Sequence, residues 1–160
     1  LILALSVSSF VSCRGKSEKE VIAALVADLA VSAEKRDAPG LIVHLDPGYR
    51  DFEKRDREQT AALIEEYFSR YRGIVIHVLA SRIEIDGPGS ASLETDVSLS
   101  SGAAQAFRKL IRFSGENYRF RFRLRKDDRW RITGAEWEYV AIDGLFPESL
   151  KIFRELFPNL

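Results

Sequence analysis

The stretch YRFRFRLRKDDRWRITGAEWEY, residues 118–139, sets apolar residues, most of them aromatic, and arginines in strict alternation over 118–125. Successive side chains of a strand point to opposite faces. Tyr118, Phe120, Phe122 and Leu124 therefore share one face, and Arg119, Arg121, Arg123 and Arg125 the other. Opposed residues of an antiparallel pair lie on the same face. A hairpin then sets Phe122 against Ile132 and Leu124 against Trp130, leaving Lys126, Asp127 and Asp128 as a three-residue loop. Beyond Ile132 the alternation breaks, because Trp137 and Tyr139 are out of phase with Trp130. One extra residue at Gly134-Ala135, a β-bulge, returns Trp137 to the apolar face opposite Tyr118 and sets Glu136 opposite Arg119.

Two further strands precede this hairpin. Residues 74–85, IVIHVLASRIEI, are β-branched and end in a Gly-Pro-containing turn at 86–90. Ala91, Leu93, Thr95, Val97 and Leu99 then alternate with polar residues, as in a strand with one buried face. A connection from Ser101 to Asn117 contains AAQAFRKLIRF, which suits a short helix or lid.

Helical spacing dominates the first half. Ser17 stands three residues before Glu20, a capping-box spacing, and Ile22, Leu25, Val26, Leu29 and Ala33 follow as one stripe. Pro39 ends that helix near Asp37. A short second helix is expected from Pro39 to Asp46, closed by an Asp46-Pro47-Gly48 turn. The third is capped by Asp56 with Gln59, carries Leu63, Ile64, Tyr67, Phe68 and Tyr71 as its stripe, and stops at Gly73. A terminal amphipathic helix is expected over 147–157.

Residues 1–12, LILALSVSSFVS, are apolar and uncharged, too short for the roughly 20 residues of a bilayer span and suited to the h-region of a secretory signal. Phe-Val-Ser-Cys then resembles a bacterial lipobox, with Phe10 where leucine is usual. That resemblance implies lipidation of Cys13, a tether over 13–17 and a single domain over 18–160. Arg14 stands where inner-membrane retention signals resembling those of enteric bacteria carry aspartate. It thus implies a lipid anchor in the outer membrane of the bacterial envelope, facing the periplasm. A lone cysteine forms no internal disulfide.

Composition narrows the partners. Hydrophobic residues at 46% and charged residues at 30% are ordinary for a globular domain, and 24 basic side chains balance 24 acidic ones. Dedicated nucleic-acid binders are usually basic overall. Base stacking would also require the aromatics to share an exposed face with the arginines; the alternation separates them, so nucleic acid is not an expected partner. The Arg119, Arg121 and Arg123 face remains a candidate for anionic lipid headgroups or another envelope polymer.

Three helices followed by an antiparallel sheet ending in W-R-I-T-G-A-E-W, together with LIVHLDPGYRDF and RDREQTAALIEEYF, resemble the nuclear transport factor 2-like and SnoaL-like superfamily. The resemblance covers about residues 18–140. It implies an α+β fold of cystatin-like topology, with helices packed on a strongly curved, cone-like antiparallel sheet and a short C-terminal helix. It also implies a cavity, which members use for catalysis, binding or dimerisation, so fold does not settle function.

The expected pocket residues are Tyr67, Tyr71, His77, Phe122, Trp130 and Trp137. A cavity enzyme of the SnoaL or ketosteroid isomerase type would draw its acid or base from His77 or Asp46, with Tyr67 as hydrogen-bond donor. His77 points inward if its strand is regular, whereas a bulge near Ala80-Ser81 turns it outward. His44 and Asp46 are two residues apart on the expected short helix and do not face each other. No acid–base pair at diagnostic spacing emerges. Two histidines 33 residues apart and one cysteine form no recognisable zinc site, and no cofactor is implied. The preferred reading is a non-catalytic module that binds a small hydrophobic ligand or an envelope protein, with homodimerisation open.

Overall fold

The computed structural model describes residues 16–100 and 116–145. Its elements run α1 (Glu18–Lys35), α2 (Ala38–Ile42), β1 (Leu45–Asp51), α3 (Arg57–Arg70), β2 (Val75–Gly87), β3 (Ser90–Ser100), β4 (Glu116–Lys126), β5 (Trp130–Tyr139) and α4 (Ile142–Leu145). The strands form one sheet in the order β1-β5-β4-β3-β2. Cys13, the 101–115 connection and the expected 147–157 helix lie outside the described residues.

α1 starts as its sequence directs. Ser17 Oγ accepts from Glu20 N, and Glu20 Oε2 accepts from Ser17 N at 2.6 Å, so two otherwise orphaned amides are satisfied. The helix ends at Arg36 in the left-handed conformation. Its buried stripe, Ile22, Leu25 and Val26, packs with Leu45, Tyr49, Ala91, Leu93, Leu124, Trp130, Ile132 and Ala135. Glu18 joins the helix start to the sheet: it accepts from Trp130 Nε1 and Lys126 Nζ, both at 2.6 Å.

The hairpin forms with both tryptophans on the core face, but its register differs from the expected one. Lys126 closes opposite Trp130, Leu124 lies opposite Ile132, Phe122 opposite Ala135 and Phe120 opposite Trp137. The loop is therefore Asp127-Asp128-Arg129, one residue later than expected. The irregularity falls at Thr133, between the Ile132 and Gly134 pairs, rather than at Gly134-Ala135. Glu136 consequently opposes Arg121 rather than Arg119. Closing the ladder at Lys126 and Trp130 brings both side chains to Glu18, a contact that alternation alone does not encode.

The residues expected as the end of a second helix and a turn form a strand instead. α2 is only five residues long, and Leu45–Asp51 pairs in parallel with β5, making the sheet mixed rather than purely antiparallel. Asp46-Pro47-Gly48 still turns locally, since Asp46 Oδ1 accepts from Gly48 N at 2.8 Å, but it does so as an irregularity within the strand. The pairing resumes at Arg50 opposite Gly134. Main-chain pairing to β5 is a long-range contact that overrides the local turn signal.

α3 has its predicted capping box, with Asp56 Oδ1 accepting from Gln59 N at 2.9 Å. Its expected core stripe is largely uncovered: Leu63, Tyr67 and Tyr71 are exposed, and Thr60 is the buried residue of the helix. The helix packs beside β1 and α2. Its tyrosines therefore extend past the core. Among the described residues no helix is long and apolar enough to cross a membrane.

Candidate functional site: an aromatic wall beyond the core

The core face of the sheet continues past the buried cluster as a row of aromatic rings. Phe52 follows β1 and stays in ladder position, its N–H donating to Ala135 O at 3.1 Å. Its ring meets Trp137 edge-on, with centroids 4.7 Å apart. Trp137 lies 6.2 Å from Phe120, which stacks on Phe122 at 5.8 Å and 6°. Tyr118 continues the row, 6.3 Å from Phe120 and 6.2 Å from Tyr139. At the end of α3, Tyr67 and the C-cap residue Tyr71 form a second pair, with centroids 4.4 Å apart.

These rings are not sealed. Phe52 is 49% exposed, Tyr67 43%, Tyr71 40% and Tyr139 65%. Phe120, Phe122 and Trp137 are half-buried. Contiguous exposed apolar surface on a monomer marks a binding site more often than an isolated exposed ring does.

Polar groups frame the wall at both ends. Tyr118 Oη donates to Glu116 Oε2 at 2.5 Å, and this bond, with partial burial, pushes the phenol up to about 12. Tyr67 is also raised, chiefly by burial and then by its neighbours Tyr71 and Glu116. Both remain neutral donors across the physiological range. At the other end Arg55 Cζ lies 5.3 Å above the Trp137 ring. Arg55 is held there by Asp51, whose Oδ2 accepts from Arg55 Nε at 2.6 Å, and it also pairs with Glu53. Beneath this loop Tyr49 is buried in the core, and burial followed by the Asp51 charge pushes its phenol up to about 12.

The sequence-based candidates divide between wall and elsewhere. Tyr67, Tyr71, Phe122 and Trp137 belong to the wall or its α3 flank. Trp130 does not: it is buried at the far end of the sheet and is tied to Glu18. His77 also lies off the wall. Leu79 is bulged between the Val78–Val97 and Ala80–Asp96 pairs, so Val78 packs on the core and His77 stands in a cross-strand row with Ser98 and Asn117. The bulge near Ala80 thus decides the orientation that sequence left open. In that row Asn117 Oδ1 is buried, with no hydrogen-bond partner among the described residues.

Asp46 is buried on the β1 irregularity, where Arg125 Nη2 donates to its Oδ2 at 2.9 Å. Both of its oxygens are used structurally, away from Tyr67. His44 is half-buried, and burial, assisted by Arg129 and opposed by Asp28, lowers its pKa.

The arginine face is a lattice of ion pairs. Arg119 binds Asp96 through Nε and Nη2 at 2.8 and 3.0 Å. Arg121 reaches Glu94 at 3.0 Å and Glu138 at 2.7 Å, while Arg123 pairs with Glu136 at 3.4 Å. Strands β3 and β5 bring carboxylates up on both sides of the β4 arginines, which local sequence counting does not register. Among the described residues no cluster of three or more His, Cys, Asp or Glu side chains is placed to hold a metal ion. An open depression of about 420 Å³ between the end of α1, α2 and α3 is lined by Lys35, Arg36, Pro39, Glu65 and Phe68, apart from the wall.

No family model and no curated protein matches the chain. Solved structures do. An uncharacterised protein with a cystatin-like fold from Caulobacter vibrioides superposes with a TM-score of 0.65 at 12% identity, over 84% of this chain and 97% of the other. A candidate scytalone dehydratase from Novosphingobium aromaticivorans gives 0.65 at 12% identity, over 78% of this chain and 85% of that one. Bd1075 from Bdellovibrio bacteriovorus gives 0.62 at 14% identity over 76% of this chain, which spans only 40% of that protein's length. At these identities the likeness defines the fold. The chain is an α+β protein of cystatin-like fold.

Proposed function

We propose that the protein is a binding module of the nuclear transport factor 2-like kind, which receives a small, planar, largely apolar molecule against its aromatic wall. The observation that carries this reading is the continuous row Phe52–Trp137–Phe120–Tyr118–Tyr139, exposed at its two ends and half-buried between them. Ligand pockets combine apolar and aromatic linings with a few placed polar groups; here those groups are the Tyr118–Glu116 pair and Arg55. The lipobox-like Phe-Val-Ser-Cys supports a further part of the proposal, that lipid on Cys13 holds the module at the bacterial outer membrane, facing the periplasm.

Catalysis of the SnoaL or ketosteroid isomerase type is the weaker reading. Its two acid–base candidates, His77 and Asp46, stand off the wall. The likeness to a candidate dehydratase carries fold alone.

Fluorine NMR of the chain labelled with 5-fluorotryptophan separates the outcomes. On titration with 2-naphthol as a planar probe, the Trp137 resonance shifts while that of buried Trp130 stays. Phe120→Ala weakens the probe about fivefold or more, the worth of one aromatic contact. An unmoved Trp137 at millimolar probe would refute the binding reading. Mass spectrometry of Cys13 from a membrane fraction tests the address, and an unmodified soluble chain would exclude it.

A further inference from the structure

Among the described residues β2 is an outermost strand of the sheet, paired only with β3. It is 13 residues long and contains no proline. At its start Glu34 covers the edge, accepting from Ile76 N at 2.9 Å. Beyond the bulge Ala80, Ser81, Arg82, Glu84, Ile85 and Asp86 are all exposed. A long open edge presents unpaired N–H and C=O groups that template pairing with another strand, and proteins that stay monomeric usually blunt such edges.

The charges on this edge would not repel a second copy. Arg82 and Glu84 flank Ile83 on the outer face, while Ile83 itself packs on the core. Antiparallel pairing of two copies about a two-fold axis through Ile83 sets each Arg82 opposite the other copy's Glu84. Moving the axis one residue either way sets Arg82 against Arg82, or Glu84 against Glu84. Within the chain Glu84 stands opposite Ser92 and makes no ion pair among the described residues. Arg82 already approaches Glu94 at 3.3 Å, and Glu94 binds Arg121. The pairing therefore extends the outer-face lattice from Arg121 through Glu94 and Arg82 to the second copy's Glu84.

We propose that β2 is a homodimer interface, joining two copies edge to edge through Arg82–Glu84 pairs into one continuous sheet. This surface is separate from the aromatic wall. An isologous interface requires such a self-complementary patch, and opposite charges directly across a strand pair favour one register.

Sedimentation velocity and equilibrium of the full chain, with circular dichroism to confirm folding, test the proposal. Wild type sediments as a dimer. E84R and R82E each raise the dimer dissociation constant about tenfold or more, since each turns two attractive pairs into two repulsive ones. The double reversal R82E/E84R dimerises more tightly than either single variant. R82E also sets a carboxylate against Glu94, so E84R is the cleaner single arm. Amide exchange of residues 81–85 slows with protein concentration in wild type and not in E84R. A monomeric wild type overturns the interface, as do unchanged single variants or a double variant no tighter than the singles.

Discussion

Replacing Asp51 with alanine removes the one carboxylate on which the β1–α3 loop is wound. Its side chain has no solvent exposure, and the Arg55 side chain it pairs with is 23% exposed. Oδ1 accepts from Glu53 N at 2.9 Å and Arg55 N at 2.8 Å, and Oδ2 accepts from Arg55 Nε at 2.6 Å. Breaking a buried pair by removing one partner costs about 3–5 kcal/mol. Arg55 retains Glu53 and some access to water, and the two loop amides lie near the surface, which places the cost at the lower end, about 3 kcal/mol. For a domain of this size ~1 kcal/mol corresponds to about 2–4 °C in Tm, so the expected loss is about 6–12 °C. Asp51→Asn keeps an acceptor but loses the charge and falls between wild type and Asp51→Ala. Urea unfolding followed by far-UV circular dichroism, with the m-value checked for constancy, measures the change. A destabilisation below about 1 kcal/mol for Asp51→Ala would refute the assignment of this carboxylate as the loop's organising group. Because the same bond aims Arg55 over Trp137, weaker binding of the planar probe is expected in parallel.

Three further expectations are direct. Tyr49 and Tyr118, both raised to about 12, ionise late; the stability each lends is complete below the ordinary phenol range and is lost as pH climbs from about 10 through 12. Absorbance titration at 295 nm should lose one late step in Tyr49→Phe and one in Tyr118→Phe, and full ionisation of wild type by pH 11 while still folded would contradict both. Glu18, lowered first by its hydrogen bond from Lys126 and then by that from Trp130, lends stability that is present above the ordinary carboxylate range and lost on acidification through its folded pKa. Glu18→Gln should therefore melt below wild type near neutrality, with the gap closing in acid; a pH-independent gap would argue against the ionised contact. At Gly134 a Cβ would run into the Arg123 guanidinium. That group can move aside at the loss of its exposed pair with Glu136, so Gly134→Ala should cost under about 1 kcal/mol by urea unfolding, and a larger loss would mean that the backbone is what resists.

Much of the fold was legible because it is encoded by neighbours in sequence. The capping boxes at Ser17–Glu20 and Asp56–Gln59 are three-residue signals, and both formed. The alternation in 118–125 and 91–99 assigned faces correctly. The hairpin register was less legible, since sliding by two residues leaves every side chain on the same face. What selected it was Glu18, more than a hundred positions away, holding Lys126 and Trp130 together. The candidate site was legible only in part. Tyr67, Tyr71, Phe122 and Trp137 were recognisable as aromatic, but their partial exposure was not, and Phe52 carried no signal beyond being a phenylalanine near a turn.

Local chemistry was sufficient for the helix starts, the faces of 91–99 and 118–125 and the separation of aromatics from arginines, because each depends on spacing within one or two turns or pleats. Tertiary structure alone decided the rest. It made Leu45–Asp51 a parallel strand against its own turn signal, because main-chain pairing with β5 is a contact across the whole domain. It turned His77 away from the wall, because one extra residue at Leu79 reverses the phase of a strand. It also converted a row of arginines that reads as cationic into a neutralised lattice, because Glu94, Asp96, Glu136 and Glu138 reach that row from strands on either side.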